Sequence, residues 1–201
     1  MKEAAAACKA GEEKVVVIKD FRADIVYSFV QMVLFGDYTD PDPLEDKMEI
    51  RHSAEVWVFG EFLGSTKLQD KAMRKLHRNY FPPNPDAKVH PLFRPLGHAL
   101  AEPPICGGLG PQAIGHCLSK TPKNSKLRVL FLDVLIFFWD RNDVIEYTQA
   151  EQAEWSSIWD EHPAFRNQVL YWSGQPQAQR NSARRPVEVY LKDPPPKNPR
   201  R

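Results

Sequence analysis

Cys106, His116 and Cys117, with His90 or His98 as a fourth group, are the nearest this 201-residue chain comes to a metal-ligand set. Their spacing matches no zinc pattern, and two adjacent ligands are awkward to bring to one tetrahedral centre, so loop and core roles are the better reading. Gly107-Gly108-Leu109-Gly110 lacks the Lys-Ser/Thr of a phosphate loop and follows no clear strand; it reads as a turn before a helix opening at Pro111. No GxSxG, HExxH or Cys/His context names a nucleophile. Asp40 and Asp42 lie in a proline turn, which suits side-chain-capped turns more than paired acid–base work. Asp133 stands among apolar neighbours, where burial would perturb it, but the helical period points it outward, toward Arg128 or solvent. The expectation is a non-enzymatic chain with no cofactor and no metal.

Lys14–Lys19 is a short β-branched run that fits a core strand. Asp20 is placed to cap a helix over Arg22–Phe35, apolar nearly all round and therefore expected to be largely buried, with Gly36-Asp37 as its stop. Tyr38–Pro43 is an acidic, rigid turn. Glu49–Leu63 and Thr66–Asn79, split by Gly64-Ser65, predict an antiparallel helical hairpin. Eight prolines between Pro82 and Pro111 mark a connector over 81–110. Helical spacing returns at Pro111–Leu118 and Asn124–Trp139, then at Ala150–Trp159 and Ala164–Trp172, with Trp155 and Trp159 expected to pack on the Leu127–Phe138 helix. Pro186–Leu191 is the best further strand, within a tail, 174–201, otherwise expected to be mostly disordered.

The net charge is +1, which demands neither nucleic acid nor an anionic membrane. It is uneven, however, at +5 over 174–201 and −4 over the rest. The three cysteines form no disulfide framework, the N-terminus has no secretory apolar run, and Val129–Trp139 is too short to span a bilayer. A soluble, cytoplasmic or nuclear protein without membrane contact is expected.

The order strand, long helix ending Leu34-Phe35-Gly36-Asp37-Tyr38, acidic turn and hairpin resembles the back part of a BTB/POZ domain. The resemblance runs through His52-Ser53-Ala54-Glu55-Val56-Trp57-Val58-Phe59 and Lys67-Leu68-Gln69-Asp70-Lys71-Ala72. Thr121–Trp139 is similar to the helical extension of fungal-type BTB proteins. The family's opening strand hairpin and first helix, which carry much of its usual dimer interface, have no counterpart ahead of these residues. Leu34-Phe35 and Gly60-Glu61 depart from its pattern.

The resemblance implies a mostly-α chain (an α+β family fold): a partial BTB/POZ domain over 1–80 with one short core strand and a helical hairpin, the 81–110 connector, a helical C-terminal extension over 111–173, and a disordered basic tail. It implies a protein–protein interaction module, an adaptor or scaffold, with unidentified protein partners and homo-oligomerisation through the BTB fold as a further expectation. Leu34, Phe35, Tyr38, His52, Trp57 and Leu68 are the expected partner-binding residues. Alternatives are a cullin-type ubiquitin ligase substrate adaptor and a DNA-associated transcriptional regulator using the basic tail, although nucleic acid is the less favoured partner.

Overall fold

The computed structural model describes residue 18 and residues 20–39, 52–81, 109–141 and 144–193. They form α1 (Ala23–Phe35), α2 (His52–Leu63), α3 (Thr66–Tyr80), α4 (Pro111–Lys120), α5 (Lys126–Phe137), α6 (Gln152–Glu161), α7 (Pro163–Ser173) and the short α8 (Gln177–Arg180). Two 3₁₀ turns follow, at Asn181–Ala183 and Val187–Val189. The one β-pairing among the described residues is a parallel bridge between Leu109 and Ile145. The fold is mostly α, as the apolar periodicity implies. The Lys14–Lys19 strand lies outside the described residues except for Ile18, which packs partly buried against the core.

The α2–α3 hairpin turns on two glycines. Gly64 adopts φ +68°, which a side chain resists, and Ser65 then caps α3 by accepting from the Leu68 N–H. Gly60 lets the helices close: a Cβ there would meet Gln69 Cγ at 2.8 Å and Gln69 N at 3.1 Å. Trp57, Phe59, Leu68, Met73, Leu76 and Tyr80 of the hairpin are buried, as are Leu127, Leu130, Phe131 and Val134 of α5. Tyr80 meets Phe131 of α5 edge-on, while Phe59 packs against Phe21 and Phe29 on the α1 side.

Arg128 on α5 donates to Thr121 Oγ1 at 3.0 Å and to the carbonyls of Leu118 and Thr121. It thereby satisfies acceptors that the end of α4 leaves open. Trp155 is buried, but α6 seats on α4 rather than on α5: Ile158 packs over Gly115, while Trp155 donates Nε1–H to the Glu146 carbonyl at 2.8 Å and stacks on Trp159 at 4.9 Å.

Three further expectations are corrected. Arg22, not Asp20, is the N-cap of α1; a guanidinium has no acceptor with which to cap a backbone N–H, and it pairs instead with Asp24 and Glu55. Pro186–Leu191 is not a strand: Val189 and Tyr190 donate back to the Pro186 and Val187 carbonyls, the i to i−3 bonds of a 3₁₀ turn. Residues 174–193 are folded onto the body despite their polar composition, anchored by the buried Arg180, Ala183, Tyr190 and Leu191. Residues 194–201 lie outside the described residues.

Candidate protein-docking face

Helix α1 meets the body along Phe21, Ile25, Ser28, Phe29 and Met32, an i, i+3, i+4 stripe of which only Ile25 and Ser28 are buried. A surface helix ordinarily turns polar residues outward. Here the outward set is Tyr27, Val30, Val33, Leu34 and Phe35, with Leu34 67% and Phe35 77% exposed. The expectation that α1 is largely buried is therefore corrected: the helix is apolar on both sides but covered on one. Gly36, at φ +74°, stops it and donates to the Met32 carbonyl. Asp37 then pairs with Lys71 at 3.0 Å, and its carboxylate accepts from the Tyr38 N–H, pinning the helix end to α3.

The six expected partner-binding residues divide. Leu34 and Phe35 stand on the exposed face. Tyr38, His52, Trp57 and Leu68 are buried and present no surface to a partner. That part of the expectation is corrected: these four side chains serve the interior of the fold. Tyr38 Oη and Ser53 Oγ are hydrogen-bonded at 2.8 Å, and Lys75 Nζ lies 4.5 Å from the Tyr38 ring centre. Trp57 takes Lys192 over its ring at 5.6 Å.

His52 joins α2 to α1 in an arrangement that deserves chemical scrutiny. Its Nδ1 lies 3.4 Å from Asp24 Oδ2 and its Nε2 2.8 Å from Ser28 Oγ, the carboxylate–imidazole–hydroxyl order of a hydrolytic triad. The proton economy differs from that of a nucleophile. Ser28 donates its one hydroxyl hydrogen to the Asp24 carbonyl at 3.0 Å, so Oγ accepts from His52 rather than giving it a proton. Ser28 and His52 are moreover 2% and 4% exposed, away from substrate. The set works as a buried clasp between two helices. Asp24, about half exposed, is held below the usual carboxylate range, chiefly by its hydrogen bond from Arg22.

A small cleft of about 80 Å³ is lined by Phe21, Arg22, Ile25, Glu55, Val58 and His116 among others. Ligand sites for metabolites run to several hundred Å³, so it has room for a few waters. His116 Nε2 is buried without a hydrogen-bond partner, and burial, reinforced by Lys120, pushes the imidazole below its ordinary value. Cys117, next in sequence, faces the core; burial raises its thiol to about 12. Among the described residues no group of three histidine, cysteine or acidic side chains is placed to hold a metal. Cys106, His90, His98, Asp40 and Asp42 lie outside the described residues.

Asp133 is the residue whose setting differs most from expectation. It points inward, not toward Arg128 or solvent, and its Oδ2 accepts from Tyr190 Oη at 2.6 Å and Arg185 Nε at 2.7 Å. Burial pushes this carboxyl above its ordinary range against the opposing pull of Tyr190 and Arg185. Burial also works against Arg185, but Asp133 outweighs it and raises the guanidinium. The cost falls on the carboxylate, 6% exposed, rather than on the guanidinium, 38% exposed. The lone acid in KLRVLFLDVLIF was the visible signal; nothing in the local sequence named partners 52 and 57 residues away.

Among the described residues no helix is long and apolar enough to cross a membrane. Comparison with protein-family models, curated proteins and solved structures finds no match.

Proposed function

We propose that this chain is a non-enzymatic protein–protein interaction module, of adaptor or scaffold type, that docks a partner polypeptide on the outer face of α1. The observation that carries it is the run of exposed Tyr27, Val30, Val33, Leu34 and Phe35 on one surface helix. Monomeric surfaces rarely leave such a stripe uncovered. Covering a side chain of this size gains roughly 1.5–3 kcal/mol, so several together offset a substantial part of the cost of association. The BTB/POZ reading of residues 14–80 rests on the sequence resemblance, and the hairpin beneath α1 is compatible with it.

In the family resembled, cullin-type ligases are met by the helix that here ends near Tyr38 and by the hairpin after it. Leu34 and Phe35 stand exposed at that helix end but depart from the family's pattern there, which weighs against the cullin-adaptor reading. The DNA-regulator reading loses support, because Arg180, Arg185 and Lys192 of the basic tail are paired with Asp140, Asp133 and Glu61.

The test is co-purification from native extract with wild type and with Leu34→Glu/Phe35→Glu, alongside a binding assay with purified cullin. Partners retained by wild type and lost by the folded double variant support the docking face. Identical recovery by both proteins sinks it, and wild type that retains no cullin removes the adaptor reading alone.

A further inference from the structure

Residues 177–193 leave α7 through Gly174-Gln175-Pro176 and cross α5, α3 and α2 as a strap. The body meets the strap with a set of acceptors and donors on α3, α5 and the turn that follows α5. Asp140 takes Arg180 at 3.1 Å, and Asp133 takes Arg185 and Tyr190 through one oxygen. His77 donates Nε2–H to the Arg185 carbonyl at 2.8 Å, and its ring lies 5.6 Å from that of Tyr190. Lys126 Nζ donates to the Val189 carbonyl at 2.7 Å. Asp70 accepts the successive N–H groups of Lys192 and Asp193 at 2.7 and 3.1 Å.

This pattern is that of a groove reading a peptide. Side-chain pockets select an arginine, a tyrosine five residues later and the leucine after it, while Lys126, His77 and Asp70 hold the backbone between and beyond them. Within the strap the hydrogen bonds are all short-range: those of α8 and the two 3₁₀ turns, of Gln177 with Asn181 and of Ser182 with the Gln179 carbonyl, and a long one from Tyr190 to the Ala183 carbonyl at 3.5 Å. Its polar composition would not fold alone. What the groove recognises is therefore carried by the segment, not by its covalent attachment.

We propose that the trench across α3 and α5 is a recognition groove for an Arg-x₄-Tyr-Leu segment, filled here by the chain's own residues 177–193, and that a second copy's strap takes the same seat to give a strap-exchanged dimer. An identical segment reproduces every contact, which is why exchange of this kind is a low-cost route to dimers. A three-residue hinge keeps the strap at an effective concentration on the order of millimolar, so the closed monomer prevails in dilute solution. Exchange emerges when the closed form is broken in each chain on a different side.

Two full-length variants test this: Tyr190→Ala, with a broken strap and an intact groove, and Asp133→Leu, the reverse. Mixed, they are expected to form a one-to-one dimer of twice 23.1 kDa by light scattering, while each alone stays monomeric. A mixture that remains monomeric, with both variants folded by circular dichroism, overturns the proposal. Should either variant fail to fold, full-length Tyr190→Phe chain, whose own strap is weakened while the groove is intact, titrated with a labelled wild-type 177–193 peptide decides. Saturable anisotropy, weakened about tenfold or more in a Tyr190→Phe peptide, supports the groove. Binding no better than that of a scrambled peptide overturns it.

Discussion

Tyr190 donates its phenolic hydrogen to Asp133 Oδ2 at 2.6 Å across 57 residues of sequence. This bond places a buried carboxylate and the basic tail in one structural unit, and it shows how the −4 body and the +5 tail come together. Tyr190→Phe keeps the ring but leaves the carboxylate dependent on Arg185. A loss of about 1–3 kcal/mol is expected, read as a lower urea midpoint with unchanged slope. An unchanged midpoint would show that the Tyr190–Asp133 bond adds nothing to the stability of the body.

Stability should fall on mild acidification. His77 lies below its ordinary value of 6.5 because burial outweighs the pull of the Arg185 carbonyl and Glu188, and His116 is shifted the same way by burial and Lys120. Unfolded imidazoles bind protons at 6.5 before folded ones do. Their contribution is thus full above 6.5 and is lost as pH falls through the folded values. Urea midpoints taken between about pH 8 and about pH 5 are expected to drop below 6.5, less steeply in His77→Gln. A wild-type midpoint that stays level or rises over that interval contradicts this.

Gly60→Ala puts a methyl group 2.8 Å from Gln69 Cγ and 3.1 Å from its backbone nitrogen. The side chain can swing away but the backbone cannot, so α2 and α3 must part slightly. The cost is expected at about 1–3 kcal/mol, measurable by chemical denaturation. Gly64→Ala meets no neighbour, and its penalty, about 1 kcal/mol, comes from φ +68° alone. Equal midpoints for Gly60→Ala and wild type would mean that the hairpin is packed less closely than described.

The hairpin and α5 were legible because their apolar residues recur at helical spacing and are in fact buried. The outer face of α1 was not legible, since an all-round apolar helix reads as a buried one and sequence does not say which side is left uncovered. Asp133 was misdirected for a related reason. Helical period places a residue on a face, but α5 is enclosed on more than one face, and its second cover comes from a segment whose composition signals disorder. Four anchors, Arg180, Ala183, Tyr190 and Leu191, fold that segment. Composition averages over isolated anchors and misses them.

Cys117 is 1% exposed, with its thiol raised to about 12, so at neutral pH it holds almost no thiolate. A chromogenic disulfide reagent is expected to modify it only after denaturant is added, at the rate of unfolding. Rapid labelling of Cys117 in native protein, located by peptide mapping, would contradict the buried placement of α4.

The central claim is that α1 docks a partner through its outer face, and hydroxyl-radical footprinting reads that face side chain by side chain. In the free chain Tyr27 and Phe35, 61% and 77% exposed, should oxidise readily. With the co-purified partner bound, oxidation of Tyr27, Leu34 and Phe35 is predicted to fall while Tyr171, exposed on α7, keeps its rate. Unchanged oxidation along α1 in a saturated complex, with protection elsewhere, would contradict the account.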